Sequence, residues 1–529
     1  MVKLLHLLLL PVLAALAAAA DQPPSAASSF KSRVHYFENA RAAAGQRQAA
    51  FVDRALNAPR STSYLTNKTM PFAVNGTGVP LVDWDIGESY AGVLPISQNT
   101  SETRKLFFWF FPSENPAATD EIAVWFTGGP GCSSMLGLLQ ENGPILWESG
   151  TYGPTKNPYA WNKLTNFVWI DQPVKTGYST GEPDILNEDD LVREFKGFWR
   201  NFMDTFDLHD RRIYLTGESY AGFYVPYISD GFLKENDTEY FNIKGIAIND
   251  PFIGNAQFQQ EIILPDFIEY WNNVLGLNDT FMSNLRSQKE QCGYADYLNK
   301  HLAFPPPPRP WDAVPSDCGV YFDFIDAVME VNPCFNVYHI TDMCPFPYQP
   351  LGVINGGDYV PPSAPESYFN CADVKKALNV PDAAYWWACS LSGGFLGDDR
   401  SPGPAVDDTL TRVIDGLNNT IIGSGALDFI LPTNGTLLAL QNITWNGAQG
   451  FQQKPSTPFF VPYHAEQNRG AMAGAGNLGV WGYERGVTFY EVQLAGHELP
   501  GWSAGSGYRS LELLLGRIKD FSDTTPLAL

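Results

Sequence analysis

Arg212-Ile213-Tyr214-Leu215-Thr216-Gly217-Glu218-Ser219-Tyr220-Ala221-Gly222 is the stretch on which the reading of this chain turns. Ile213 to Thr216 reads as a buried strand. The small residues around Ser219 let the backbone turn sharply into a helix and lift one hydroxyl above the sheet edge. The spacing is looser than Gly-x-Ser-x-Gly, because Ala221 follows Tyr220 and the second glycine comes at Gly222. A purely structural turn has the same letters. A serine hydroxyl is a weak nucleophile that needs a base, and the base needs a carboxylate to hold its tautomer. Behind a turn of this kind those partners follow in chain order, acid and then histidine. Two later segments fit: Ile421 to Ile430 is a strand ending in a loop with Asp428, and Thr488 to His497 is a strand ending in a loop that carries His497 after Gly496. Singly, Asp428 is as readily a turn cap and His497 a loop histidine. In order after Ser219 they make a catalytic set.

Working outward, Lys105 to Phe111, Ile122 to Phe126 and Phe167 to Ile170 are further apolar runs of strand length, separated by amphipathic stretches. That alternation predicts an α/β fold, a mostly parallel mixed sheet with helices on both faces. Between 255 and 370 the rhythm stops and the chain becomes rich in cysteine and proline, with Pro305-Pro306-Pro307-Pro308 as a stiff surface spacer. We expect an insertion there, with core at 61–254 and again at 371–529. The pattern resumes at Val374 to Leu378, then at strand-like Thr420 to Ile422 and Thr488 to Val492.

The first twenty residues run from Lys3 through an apolar stretch to Ala17–Ala20, the order of a secretory signal. Residues 21–60, with Arg41, Arg47 and Arg54 among alanines, read as a helical arm or pro-segment. No later segment offers the roughly 20 apolar residues of a bilayer span. A net charge of −23 and a pI near 4.6 argue against nucleic acid or anionic membranes as partners and suit an acidic medium. Eight Asn-x-Ser/Thr sequons, at Asn67, Asn75, Asn99, Asn236, Asn278, Asn418, Asn434 and Asn442, invite N-linked glycans in a secretory lumen. The expected place is therefore outside the cell, or a vacuolar or lysosomal type of lumen. The seven cysteines should mostly pair in an exported chain, leaving one over. None is in a Cys-x-x-Cys pair and the histidines lie far apart, so no metal or other cofactor is expected.

Trp125-Phe126-Thr127-Gly128-Gly129-Pro130-Gly131-Cys132-Ser133-Ser134 follows a strand and places glycines where main chain must approach a ligand. With it the resemblance becomes specific. Thr127 to Ser134, Asn166 to Ser179 with Asp171-Gln172-Pro173, Gly217 to Gly222, Asp428-Phe429-Ile430 and Gly496-His497 occur in the order seen in the serine carboxypeptidase family. The chain resembles most its fungal secreted acid members. The resemblance implies an α/β-hydrolase fold with Ser219, Asp428 and His497 as the triad, and release of C-terminal residues from peptides and proteins. It places the oxyanion hole at the amides of Gly129 and Tyr220, and the site for the substrate's terminal carboxylate at Thr127, Gly128, Glu141 and Glu218. The two glutamates match acids that share a proton in the family, and two carboxyls forced together cannot both ionise cheaply. Acid-favoured activity follows. Cys132–Cys389, Cys292–Cys318 and Cys334–Cys344 are the pairings implied by analogy, with Cys371 as the odd thiol.

The chain also departs from the family pattern. Thr127 stands where asparagine is usual, Glu498 where methionine is common, and Lys175 where a small residue is usual. Glu498, beside the leaving-residue pocket, would favour basic terminal residues. Other readings are a serine-dependent acyltransferase on the same fold, or a secreted binding protein with a relic site. The retained Glu141 and Glu218 disfavour the first, and the filled catalytic positions the second. Two further motifs fail in context. Gly474 to Gly479 has the letters of a dinucleotide fingerprint but precedes strand-like Val480 to Tyr483, so a glycine-rich hairpin is expected. His497-Glu498-Leu499-Pro500-Gly501 lacks the second histidine of a zinc-protease helix, and Pro500 should break such a helix.

Overall fold

The computed structural model describes residues 63–151, 153–351, 367–390, 392–468 and 474–529. The signal-like segment 1–20, the arm 21–60 and part of the expected insertion lie outside these.

An eleven-stranded sheet organises the described chain. Its strands are β1 (Ala73–Val74), β2 (Ser89–Pro95), β3 (Lys105–Phe111), β4 (Glu121–Phe126), β5 (Asn166–Asp171), β6 (Arg212–Glu218), β7 (Ile243–Asn249), β8 (Thr420–Gly425), β9 (Thr457–Val461), β10 (Gly476–Glu484) and β11 (Val487–Val492). The spatial order is β1-β2-β3-β5-β4-β6-β7-β8-β11-β10-β9. The six central strands from β5 to β11 run parallel, and antiparallel strands flank them on both sides. Both faces are covered, so the central strands carry apolar residues on both faces rather than on one. In β3, Phe108 and Phe110 enter one core while Phe107, Trp109 and Phe111 enter the other; in β4, Ile122, Val124 and Phe126 oppose Ala123 and Trp125.

The helices are α1 (Met135–Gln140), α2 (Glu188–Phe206), α3 (Ala221–Glu235), α4 (Leu264–Leu275), α5 (Asp279–Gln291), α6 (Tyr294–His301), α7 (Val320–Val331), α8 (Ala372–Ala377), α9 (Thr409–Leu417), α10 (Thr433–Gln441), α11 (Leu499–Trp502) and α12 (Ala504–Leu514). Those of one face include α2 and α3; α1 and α12 pack on the other. In α2, the Asn187 side chain caps the first turn by accepting from the Asp190 N–H at 2.9 Å, and Glu188, Asp189 and Asp190 face the positive end of the dipole.

Between β7 and β8 the described chain contributes helices and no strand, and two disulfides, Cys292–Cys318 and Cys334–Cys344, tie that segment to itself. A third, Cys132–Cys389, ties the loop after β4 to the far end of the segment, and Cys371 is in none of these disulfides. The glycine-rich run at 476–484 is strand β10, paired with β9 and β11 as a hairpin. Pro500 starts the short α11 instead of breaking a helix, because a first-turn proline lacks only an N–H that has no acceptor there. Among the described residues no helix is long and apolar enough to cross a membrane.

Candidate active site

The triad candidates and the glycine run lie at the C-terminal ends of parallel strands. Ser219 follows β6, Asp428 follows β8, His497 follows β11 and the glycine run follows β4, so four parallel strands deliver their C-terminal ends to a common crevice.

Ser219 has φ 60°, a left-handed conformation that a serine adopts only under constraint. The constraint is visible. Its N–H donates to Asn249 O at 3.0 Å, and its carbonyl accepts from the Gly222 and Phe252 N–H groups at 2.8 and 2.9 Å. Gly222 is required because a Cβ there would lie 2.2 Å from Phe252 O. The turn needs its second glycine one place later than the usual spacing, where the chain after β7 crosses it. The Ser219 hydroxyl makes no hydrogen bond among the described residues. In unliganded hydrolases that contact is commonly long and tightens on substrate binding.

His497 Nδ1 and Asp428 Oδ2 are 2.7 Å apart, both groups buried. Asp428 Oδ1 accepts from the Ile430 and Leu431 N–H groups at 2.8 and 3.1 Å, so its carboxylate is fixed in direction. Burial works against charge on His497. Asp428, with the fields of Glu498 and Asp250, outweighs it and holds the imidazole up at about 9. The helical segment supports this pair directly: Tyr338 O accepts from the His497 N–H at 2.8 Å, Val337 O accepts from Phe429 and Ile430, and the Tyr338 ring lies 5.1 Å from the imidazole.

Gly128 lies against the turn at Ser219. A Cβ on it would be 2.3 Å from Tyr220 N and 2.9 Å from Ser219 Cβ, so the loop after β4 reaches the amide of Tyr220 because residue 128 has no side chain. Thr127 is buried, and its hydroxyl accepts from the Trp125 indole N–H at 3.0 Å. Lys175 is not part of this floor. It takes φ 77° on an exposed turn and pairs with Glu182 at 2.9 Å, which accounts for a small residue being usual there.

Glu141, at the C-terminal end of α1, and Glu218, the last residue of β6, are buried side by side and close enough to share a hydrogen bond through one proton. No amide or hydroxyl of the described residues donates to either Oε2 atom. Burial pushes Glu141 up to about 8; burial and then the charge of Glu141 push Glu218 well above the usual carboxylate range. Glu498 is half-buried, raised by burial, and contributes to the field on both.

Sequence reasoning missed three acids, and gave a fourth, Asp171, no role beyond its place in a family block. Asp250, the residue after β7, is buried and accepts from the Gly425 N–H at 2.7 Å; burial and then Asp428 raise it strongly. Asp171 accepts from Ser133 Oγ, Ser134 N–H and Tyr178 N–H at 2.6, 2.9 and 3.0 Å, tying down the glycine loop. Its position at the end of a buried strand was the available signal. Asp399 accepts from the Tyr220 phenol at 2.6 Å beside buried Glu188, and neither position carries a signal in the chain.

The family model described as serine carboxypeptidase matches residues 81–515. A "Probable serine carboxypeptidase" of Arthroderma benhamiae is 45% identical over 476 residues, 88% of this chain and 89% of that one. "Serine-type carboxypeptidase F" of Aspergillus niger is 41% identical over 493 residues, 89% and 92% of the two chains. Among solved structures, a prohormone-processing carboxypeptidase from Saccharomyces cerevisiae superposes with TM-score 0.64 at 19% identity, over 85% of this chain and 98% of that one, which shows the α/β-hydrolase fold. With most of its length matched by the family and by relatives above 40% identity, the chain belongs to the serine carboxypeptidase family and is a serine-type carboxypeptidase.

Proposed function

We propose that this enzyme is secreted and releases single residues from peptide C-termini at acidic pH through an acyl-enzyme on Ser219. The observation that carries this reading is the buried Glu141–Glu218 pair beside the nucleophile turn, with its carboxyl oxygens short of donors. A pair that keeps one proton can donate a hydrogen bond to an incoming carboxylate; once it loses that proton it repels the substrate. Thr127 and Gly128 complete the carboxylate site.

His497 takes the Ser219 proton as Oγ attacks the last peptide carbonyl. The Gly129 and Tyr220 N–H groups hold the oxyanion. The C–N bond breaks, His497 returns the proton to the departing amine, and the terminal residue leaves. Water, deprotonated by the same imidazole, then attacks the ester and frees Ser219. Asp428 keeps the imidazole oriented throughout. In acid, Glu498 and Asp250 hold their own protons, so their part of the pull on His497 disappears and Asp428 alone acts on it.

Secretion is supported by the signal-like segment 1–20 and by the sequons. Seven of the eight asparagines are exposed and Asn442 is half-buried. Asn75, Asn99 and Asn278 accept hydrogen bonds through Oδ1, which leaves Nδ2 for a sugar. A vacuolar type of lumen is the alternative destination.

An active-site phosphonate used beside a peptide ladder tests the chemistry. Wild type should be labelled at Ser219 and should shorten the ladder from its C-terminus, with both lost in Ser219→Ala by about 10⁴-fold or more in kcat. No labelling, or labelling without release of residues, overturns the proposal.

A further inference from the structure

Away from the active-site crevice, a cleft of about 630 Å³ runs between α4 and the loops that follow β8 and β11. Phe267, Tyr270 and Trp271 of α4 line it together with Asn434 and Leu494. Tyr270 is 75% exposed and Leu494 57%, and the Tyr270 and Trp271 rings meet edge to face at 4.9 Å. A ring three-quarters open to water, beside a half-buried one on the same helix, is costly unless something covers it. The Tyr270 O–H, the Trp271 indole N–H and the Asn434 amide make no hydrogen bond among the described residues. An apolar ring face bordered by free donors suits a sugar, whose ring has an apolar face and a rim of hydroxyls.

Asn434 begins the sequon Asn434-Gly435-Thr436. Thr436 is fully buried and its Oγ1 has no partner. An unsatisfied buried hydroxyl is destabilising, and valine would fill the same volume without it. The hydroxyl has a use before folding, because it completes the acceptor site on the unfolded chain.

We propose that Asn434 carries an N-glycan whose inner N-acetylglucosamine residues lie in this cleft against Tyr270 and Trp271. The seated sugar packs on both catalytic loops, since Ala426 lies two residues before Asp428 and Leu494 three before His497. The inference rests on the reading that the chain enters a secretory lumen, but not on its catalytic chemistry.

The test is a time course of endoglycosidase H on the native protein secreted from a yeast host, with release followed at each sequon by glycopeptide mass spectrometry. The enzyme cuts between the two inner sugars, so a seated core is protected. The Asn434 glycan should be released about ten-fold more slowly than those on Asn67 and Asn236, the difference expected from about 1.4 kcal/mol of ring contact. Trp271→Ala, and separately Tyr270→Ser at the more exposed ring, should bring it to the common rate, as should denaturation. Equal release in the wild type, or an empty Asn434 while the other sequons are occupied, overturns the seat. A chain bare at all eight sequons overturns the secretory reading and the seat with it.

Discussion

Glu218 ends β6, so the strand that lifts Ser219 also delivers a carboxyl to the proposed carboxylate site. The neighbouring Glu141 is held up at about 8 by burial, so the pair keeps its proton through the acid range and gives it up above neutrality. Peptide KM should therefore rise steeply between about pH 7 and 9 in the wild type. In Glu218→Gln, whose amide keeps a donor at every pH, that rise should flatten, with KM in acid about ten-fold higher from the altered geometry. A KM that is flat with pH in the wild type removes the shared-proton account. Glu498 gives a second expectation. It is half-buried beside Trp502, whose indole lies 3.4 Å from Oε2, and burial raises it, so it is neutral in acid and charged at higher pH. The KM ratio of Leu to Lys or Arg termini should rise with pH in the wild type and stay level in Glu498→Gln; equal ratios in the two enzymes remove the idea.

The proposed triad also depends on an element that is no part of the sheet. Residues 337–340 bond to both catalytic loops through Val337 O, Tyr338 O and the Ile340 N–H, which donates to Leu427 O at 3.2 Å. The Cys334–Cys344 disulfide brackets this short segment. Opening it in Cys334→Ser/Cys344→Ser should cut kcat about 10- to 100-fold through misplacement of His497, with KM little changed. Loss of KM with kcat preserved would show that the segment serves binding instead. The loops bearing Asp428 and His497 were legible in the chain because each follows a strand of ordinary apolar pattern. The brace was not, because a backbone carbonyl at Tyr338 has no signature in a side-chain sequence. Asp250 was hidden for a related reason: in Asn249-Asp250-Pro251 it reads as a turn residue, and only the neighbouring β8 makes it a buried partner of the Gly425 amide.

At the scale of the whole molecule, buried acids set the response to pH. Glu141 at about 8 and Asp171 at about 7 lie above their unfolded values near 4. For each, the folded state holds its proton more tightly than the unfolded chain does. Their contribution is thus complete below the unfolded value and is lost as pH rises through the folded one. With a net charge of −23 the remaining carboxylates repel one another more as they ionise, which acts in the same direction. Tm should fall by about 5 °C or more from pH 5 to pH 8, and a Tm that is level or rising over that range contradicts this account. The sequence by itself determined the layered α/β fold, the turn at Ser219 and the order of acid and histidine, since strand periodicity and turn chemistry are local properties of the chain. The tertiary structure alone decided which carboxyls share a proton and which segment braces the imidazole. Ionisation in the interior depends on what packs around a group, and those neighbours lie 77 positions apart for Glu141 and Glu218 and 159 for Tyr338 and His497.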